Sequence, residues 1–282
     1  MANGLLGAMG AWAAQSQGTP ATKGMLNAKG RNRHFILAAP PCSPTLLFLT
    51  ASRDAKARDY GGIRGAYALL AVSGEPGVGK TLAVQAFARS LDPRSIVTVP
   101  LSAPPQSLRA FLRALVLALG EHPAWTTAEL LAQIHAIVTP WREAGKLLLV
   151  TIDEAQDLPQ EVLAGLRSLL ATPLGEPLPL RILLVGTGSL PAHLRSQAME
   201  PIAQRVSLRV RLYGFTRSES AEFLLGLGDF TPEAQELLFQ RSRAIPRILA
   251  ALARLSLRAA EQHQGAVSVD DVQGAVEEFD LR

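Results

Sequence analysis

Gly74-Glu75-Pro76-Gly77-Val78-Gly79-Lys80-Thr81 fits the pattern G-x-x-x-x-G-K-[ST], a loop that wraps the phosphates of a nucleoside triphosphate. Glycines let the backbone curl so that successive N–H groups face phosphate oxygens. Lys80 brings a compact positive charge for the β- and γ-phosphates, and the Thr81 hydroxyl is a magnesium ligand. The flanks suit the motif. Ala68-Leu69-Leu70-Ala71-Val72 predicts a short buried strand, and Leu82 to Ala88 predicts a helix whose positive dipole end faces the phosphates. The binding set is therefore Gly74, Glu75, Pro76, Gly77, Val78, Gly79, Lys80, Thr81 and Leu82.

A second stretch, Lys146-Leu147-Leu148-Leu149-Val150-Thr151-Ile152-Asp153-Glu154, is an apolar run closed by two carboxylates. Such a run suits a central parallel strand covered on both faces. Ligands of open α/β sheets collect at the carboxyl ends of strands, where these acids fall. Asp153 is expected to hold Mg²⁺ through water, because magnesium gives up its hydration shell reluctantly. Glu154 is expected to orient and polarise the attacking water. The plainer alternative is a pair of acids capping the next helix.

The 282 residues allow one large domain, or one with a small appendage. With 48% hydrophobic residues, 18% charged and few aromatics, the composition favours helices around a sizeable core over an all-β fold. The one cysteine, Cys42, rules out an internal disulfide and a cysteine-based zinc site, and the five histidines lack metal-ligand spacing. No apolar run reaches membrane-spanning length, and residues 1–18 lack the positive start and apolar core of a secretory signal. A cytoplasmic protein without membrane insertion is the expectation. The net charge of +4 is concentrated early: no acid precedes Asp54, whereas Lys23, Lys29, Arg31, Arg33 and Arg53 do. Residues 1–44 are read as a basic disordered tail, with a nucleic-acid arm and a targeting leader as alternatives.

Further strands are predicted at 95–99, closed by Pro100, at 181–186 and at 206–212. Helices are predicted at about 105–119, 127–143 and, after Pro159, to about Ala171. Alternating strands and helices mean a mostly parallel sheet. Beyond Gly214 the strand pattern stops, and 217–227, 231–243, 246–263 and 269–279 read as helices, with Thr216, Thr231 and Ser268 as caps.

This order of motifs resembles the AAA+ ATPases, in particular the branch with ExeA/GspA-type secretion ATPases and transposition ATPases of the MuB, TnsC and TniB kind. The carrying phrases are Gly74–Thr81, Ile152-Asp153-Glu154-Ala155-Gln156-Asp157-Leu158, Leu184-Val185-Gly186-Thr187, Ala203-Gln204-Arg205-Val206 and Ile245-Pro246-Arg247. The resemblance runs from about Thr45 to the C-terminus. It implies an α/β P-loop NTPase: an αβα sandwich with a five-stranded, mostly parallel sheet over 45–213, then an all-helical lid over 214–282. It also implies Mg²⁺-dependent ATP hydrolysis; no guanine-reading N-K-x-D motif is evident. Thr187 stands where the family has a polar sensor for the γ-phosphate, or is a plain turn residue. Arg205 stands where the family has an arginine finger acting on a neighbouring subunit, which implies a ring or filament; a helix-end charge is the alternative. Arg247 matches the second sensor, although Ala244 replaces the glycine many relatives carry before Ile-Pro-Arg.

For the pathway the resemblance implies two roles. One is an oligomeric ATPase that binds double-stranded DNA and helps a transposase choose its target, in keeping with the basic tail and a pI near 9.6. Ser102, Arg109 and Arg113 are then candidate DNA contacts, with a solvated helix face as the alternative. The other is assembly of a secretion or pilus system, whose family members add a membrane span and a cell-wall-binding module not legible in these residues. A nucleotide-gated scaffold is a third reading, disfavoured by Glu154.

Overall fold

A computed structural model describes residues 69–170, 178–195, 206–261, 263 and 265–280. The tail and Arg205 lie outside the described residues. Five strands, β1 (Leu69–Gly74), β2 (Ile96–Leu101), β3 (Leu147–Ile152), β4 (Leu180–Gly186) and β5 (Val206–Leu212), form one sheet in the order β2-β3-β4-β1-β5. Every pairing is parallel.

Alternation along the strands divides the apolar side chains between two clusters. Leu148, Val150 and Ile152 of β3, with Ile182 and Leu184 of β4, face α2 (Leu108–Ala118), α3 (Thr127–Val138) and α4 (Gln160–Leu170). Leu147, Leu149, Leu183 and Val185 face the other way, onto Ala83, Val84 and Phe87 of α1 (Lys80–Ser90). All six residues of β3 and all seven of β4 are buried. Each large apolar side chain so covered contributes about 1.5–3 kcal/mol, against about 1–2 kcal/mol per residue to fix the backbone, so these strands are held firmly where they end.

Three expected boundaries shift, each for a local reason. Strand β2 does not stop before Pro100: it runs to Leu101, with Pro100 opposite Thr151. Ser95 and Leu101 accept hydrogen bonds from the β3 side, so alternation turns the Pro100 nitrogen outward on this edge strand, where no N–H is needed. Helix α2 starts at Leu108 rather than near 105, because Pro104 and Pro105 precede the true cap, Ser107, whose hydroxyl accepts from Ala110 N–H at 3.2 Å. Helix α3 ends at Val138, and Pro140 then belongs to a separate 3₁₀ turn, Thr139–Trp141. A short α5 (Leu190–Leu194) was not anticipated.

After β5, helices α6 (Arg217–Leu227), α7 (Pro232–Arg241), α8 (Pro246–Ala260) and α9 (Val269–Asp280) enclose a third apolar cluster, including Leu224, Leu238, Leu249, Leu252 and Val272. Thr216 opens α6 through a reciprocal capping box with Glu219, and the Thr231 hydroxyl caps α7. Among the described residues no helix is long and apolar enough to cross a membrane.

Within the helical part, the stretch that leaves β5 is tied to the turn before α8 at Ala244. Its carbonyl accepts the Phe215 N–H at 2.7 Å, just past β5. To reach it, Arg243 and Ala244 take φ of 52° and 61°, a left-handed conformation that side chains with a Cβ disfavour. Ala244→Gly is therefore expected to stabilise the protein by up to about 1 kcal/mol. A denaturant midpoint unchanged or lowered in that variant would count against stored strain here.

Candidate nucleotide site

The loop between β1 and α1 closes over the sheet's carboxyl edge. Gly77 and Gly79 take φ of 87° and 89°, and Gly79 is the N-cap of α1. This conformation leaves the first N–H groups of the helix without intrahelical partners and directed at the space an anion would fill. Lys80 is buried, and its Nζ donates to the carbonyls of Gly74 (3.1 Å) and Glu75 (3.0 Å). Burial pushes the Lys80 ammonium below its ordinary pKa; Glu154 and Asp153 pull it back up, and Arg247 opposes them. A cation in that setting gains by meeting an anion.

Thr81 and Asp153 meet although 72 positions separate them: Thr81 Oγ1 donates to Asp153 Oδ2 at 2.7 Å. Two hard oxygen donors side by side, next to a phosphate-type loop, fit Mg²⁺ chemistry. Glu154 follows with φ 50°; its N–H donates to Asp153 Oδ1 at 2.9 Å, and its Oε2 accepts from Gln156 Nε2 at 2.8 Å. Thr187, one residue past β4, faces the same space; its N–H donates to Gln156 Oε1 and its hydroxyl bonds Ser189 Oγ at 2.7 Å.

Arg247 arrives from the other side. It sits in the first turn of α8, its N–H donates to Gly77 O at 3.2 Å, and a Cβ on Gly77 would lie 3.2 Å from its own Cβ. The phosphate-type loop and the start of α8 thus touch directly. Pro76, Gly77, Gly79, Lys80, Thr81, Leu82, Glu154, Thr187 and Arg247 all line one cavity of about 470 Å³, within the usual range for a small-molecule site. Gly74, Glu75, Val78 and Asp153 are not among its lining residues. Gly74 and Glu75 contribute their carbonyls to Lys80, Val78 packs into the apolar cluster beneath α1, and Asp153 reaches the site through Thr81.

The cavity also has residues that motif reading missed. Gln85, Ala86 and Arg89 come from α1, Ala250 and Arg254 from α8, and Phe215 and Phe223 from the helical part. Some signal was available: Arg89 lies seven positions after Leu82, and Arg254 seven after Arg247, so each shares a helix face with a predicted residue. Which faces meet across the cleft depends on how α8 docks. Of the candidate DNA contacts, Arg109 is exposed, whereas Arg113 donates to Ala124 O at 3.3 Å and so ties down the turn between α2 and α3.

Residues 63–194 match a family described as "AAA domain". A stretch of 114 residues is 32% identical to general secretion pathway protein A of Aeromonas hydrophila, covering 38% of this chain and 21% of that protein. The chain thus spans about a fifth of the length of that curated relative. The ORC2 protein of Aeropyrum pernix, solved as ADPNP-ADP complexes, superposes with a TM-score of 0.58 at 19% identity, covering 78% of this chain and 64% of that one. Drosophila ORC bound to DNA superposes with a TM-score of 0.56 at 16% identity, covering 97% and 74%. At these identities the structural likeness is one of fold. The parallel sheet, the loop after β1 and the matched family agree: this chain has the fold of the AAA+ P-loop ATPases, and its residues 63–194 are similar to the AAA domain family.

Proposed function

We propose that this chain binds ATP with Mg²⁺ and hydrolyses it to ADP and phosphate. The observation that carries this reading is the convergence of Lys80, Thr81 and Glu154 with Arg247 around one cavity, with Asp153 hydrogen-bonded to Thr81. The loop N–H groups and the α1 N-terminus receive the phosphates, and Lys80 neutralises their terminal oxygens. Thr81 and Asp153 would hold the metal, which when bound offsets charge on the β- and γ-phosphates. Glu154 orients a water toward the terminal phosphorus and draws on its proton, and Thr187 donates to the departing phosphoryl group. No covalent enzyme intermediate is required.

The unit over 45–213 is read as the nucleotide-binding part and 214–282 as its lid. Arg247 contacts the phosphate-type loop through Gly77, so nucleotide state and lid position are coupled there. Arg205 is assigned to a neighbouring copy's site, which makes the working form a ring or filament. On pathway, we infer a DNA-associated assembly acting with a transposase. The DNA-bound fold relative and the basic balance of +4 support it. A second reading, assembly of a secretion system, is favoured by the 32% identity to the Aeromonas protein.

Glu154→Gln is expected to lower kcat by at least about 100-fold while leaving ATP binding nearly intact, as loss of a positioned base does. Gly77→Ala should weaken ATP binding about tenfold or more, read by calorimetry, because the new methyl is strained at φ 87° and meets Ile245 Cγ2 at 3.0 Å. Duplex DNA should raise turnover, and the stimulation should fade as salt rises. Turnover indifferent to DNA, with Glu154→Gln as the blank, favours the secretion reading.

A further inference from the structure

One polar side chain beside the cavity has no part in the chemistry above. Gln156 lies in the single 3₁₀ turn Ala155–Asp157 that follows Glu154, and it is half-buried. Its amide spans the ends of two strands. Nε2 donates to Glu154 Oε2 at 2.8 Å, and Oε1 accepts the Thr187 N–H at 2.9 Å. The nitrogen also lies 3.3 Å from Asp157 Oδ2. The amide has one consistent orientation: a backbone N–H only donates and an ionised carboxylate only accepts, so oxygen must face β4 and nitrogen must face β3.

The surroundings are shaped for this bridge. A methyl on Gly186, the last residue of β4, would sit 2.6 Å from Gln156 Oε1, so the amide occupies room that a side chain there would take. Glu154, at φ 50°, holds a backbone conformation uncommon for a residue with a long side chain, one that persists when neighbours over-determine it. Gln156 and the Asp153 carboxylate, which accepts the Glu154 N–H, are those neighbours. Glu154 and Thr187 line the cavity, and Gln156 does not.

We infer that Gln156 is a positioning residue that clamps the Glu154 carboxylate to the end of β4, so that Glu154 and Thr187 move as one unit. This rests on the ATPase reading, in which Glu154 orients water and Thr187 meets the terminal phosphate. Any displacement of Thr187 as phosphate arrives or leaves is carried to Glu154 through one amide. Loss of the bridge therefore affects turnover and spares binding.

Two variants separate this role from mere packing. Gln156→Met keeps the length and removes both bonds; Gln156→Glu keeps an acceptor for Thr187 N–H but sets carboxylate against carboxylate. We expect ATP affinity within about twofold of the parent and kcat lowered about 10–100-fold in both, a fraction of what a general base contributes. Hydrogen exchange at the Thr187 amide should accelerate in Gln156→Met alone. Parental kcat in Gln156→Met overturns the inference, as does unchanged Thr187 exchange. If Gln156→Met does not fold, Gln156→Glu decides: parental kcat there refutes the clamp, and reduced kcat with retained affinity supports it. If the parent protein itself shows no turnover, the ATPase reading fails, and Thr187 exchange alone then judges the bridge.

Discussion

A strand buried on both faces cannot shift without exposing apolar surface to water, and three such strands, β3, β4 and β1, form the centre of the sheet. Neighbouring strands lie about 4.8 Å apart, so the carboxyl ends of β1, β4 and β3 fall within about 10 Å. The residues that follow those ends, directly or across one short loop, inherit that spacing. Lys80 and Thr81 follow β1, Thr187 follows β4, and Asp153 and Glu154 follow β3. The Thr81–Asp153 hydrogen bond at 2.7 Å and the Gln156 bridge are the local consequences. The ladder sets the approximate distances, and the side-chain hydrogen bonds refine them.

Among the described residues, two contacts of the helical part with this frame come from neighbouring positions at the start of α8. Ile245 would touch a Cβ on Gly77, and Arg247 donates to Gly77. Its own apolar cluster holds the four helices together without drawing on either cluster of the sheet. Two parts, each packed around its own apolar cluster, suit hinge-like motion. The two left-handed residues, Arg243 and Ala244, sit in the turn before α8. A glycine would adopt this conformation freely; alanine holds it because the Phe215 bond and the start of α8 leave the backbone little alternative.

How much was legible from the sequence differs by residue. Lys80 and Thr81 stood out because the phosphate-loop pattern is local, with every element within eight positions, and the structure puts both on one cavity. Asp153 and Glu154 were readable because an unbroken apolar run marks a central strand and its end. Thr187 and Arg247 needed the family resemblance, since a threonine after a strand or an arginine after a proline is common. Gln156 stood in a quoted motif, but nothing local says that its amide reaches a strand about 30 positions on. Arg89 and Arg254 share helix faces with predicted residues, and only the docking of α8 beside α1 brings them to one cavity. Arg113, offered as a DNA contact, is engaged with the Ala124 carbonyl, a partner that depends on how α2 and α3 cross. Pro100 misled for the opposite reason: proline ends a central strand but not an outward-facing position on an edge strand.

Local chemistry in the sequence alone determined the strand–loop–helix frame, the acidic end of β3, the change from alternating elements to helices after Gly214, and the caps at Thr216 and Thr231. Each follows from neighbours within a few positions, where periodicity, glycine freedom and capping oxygens act. The tertiary structure decided the strand order β2-β3-β4-β1-β5, the meeting of Thr81 with Asp153, the Gln156 bridge and the contact of α8 with the phosphate-type loop. Those depend on which buried faces pack together, a choice made by the whole apolar surface at once. No short pattern encodes it, because hydrophobic burial carries no direction and only the assembled shape selects the partner.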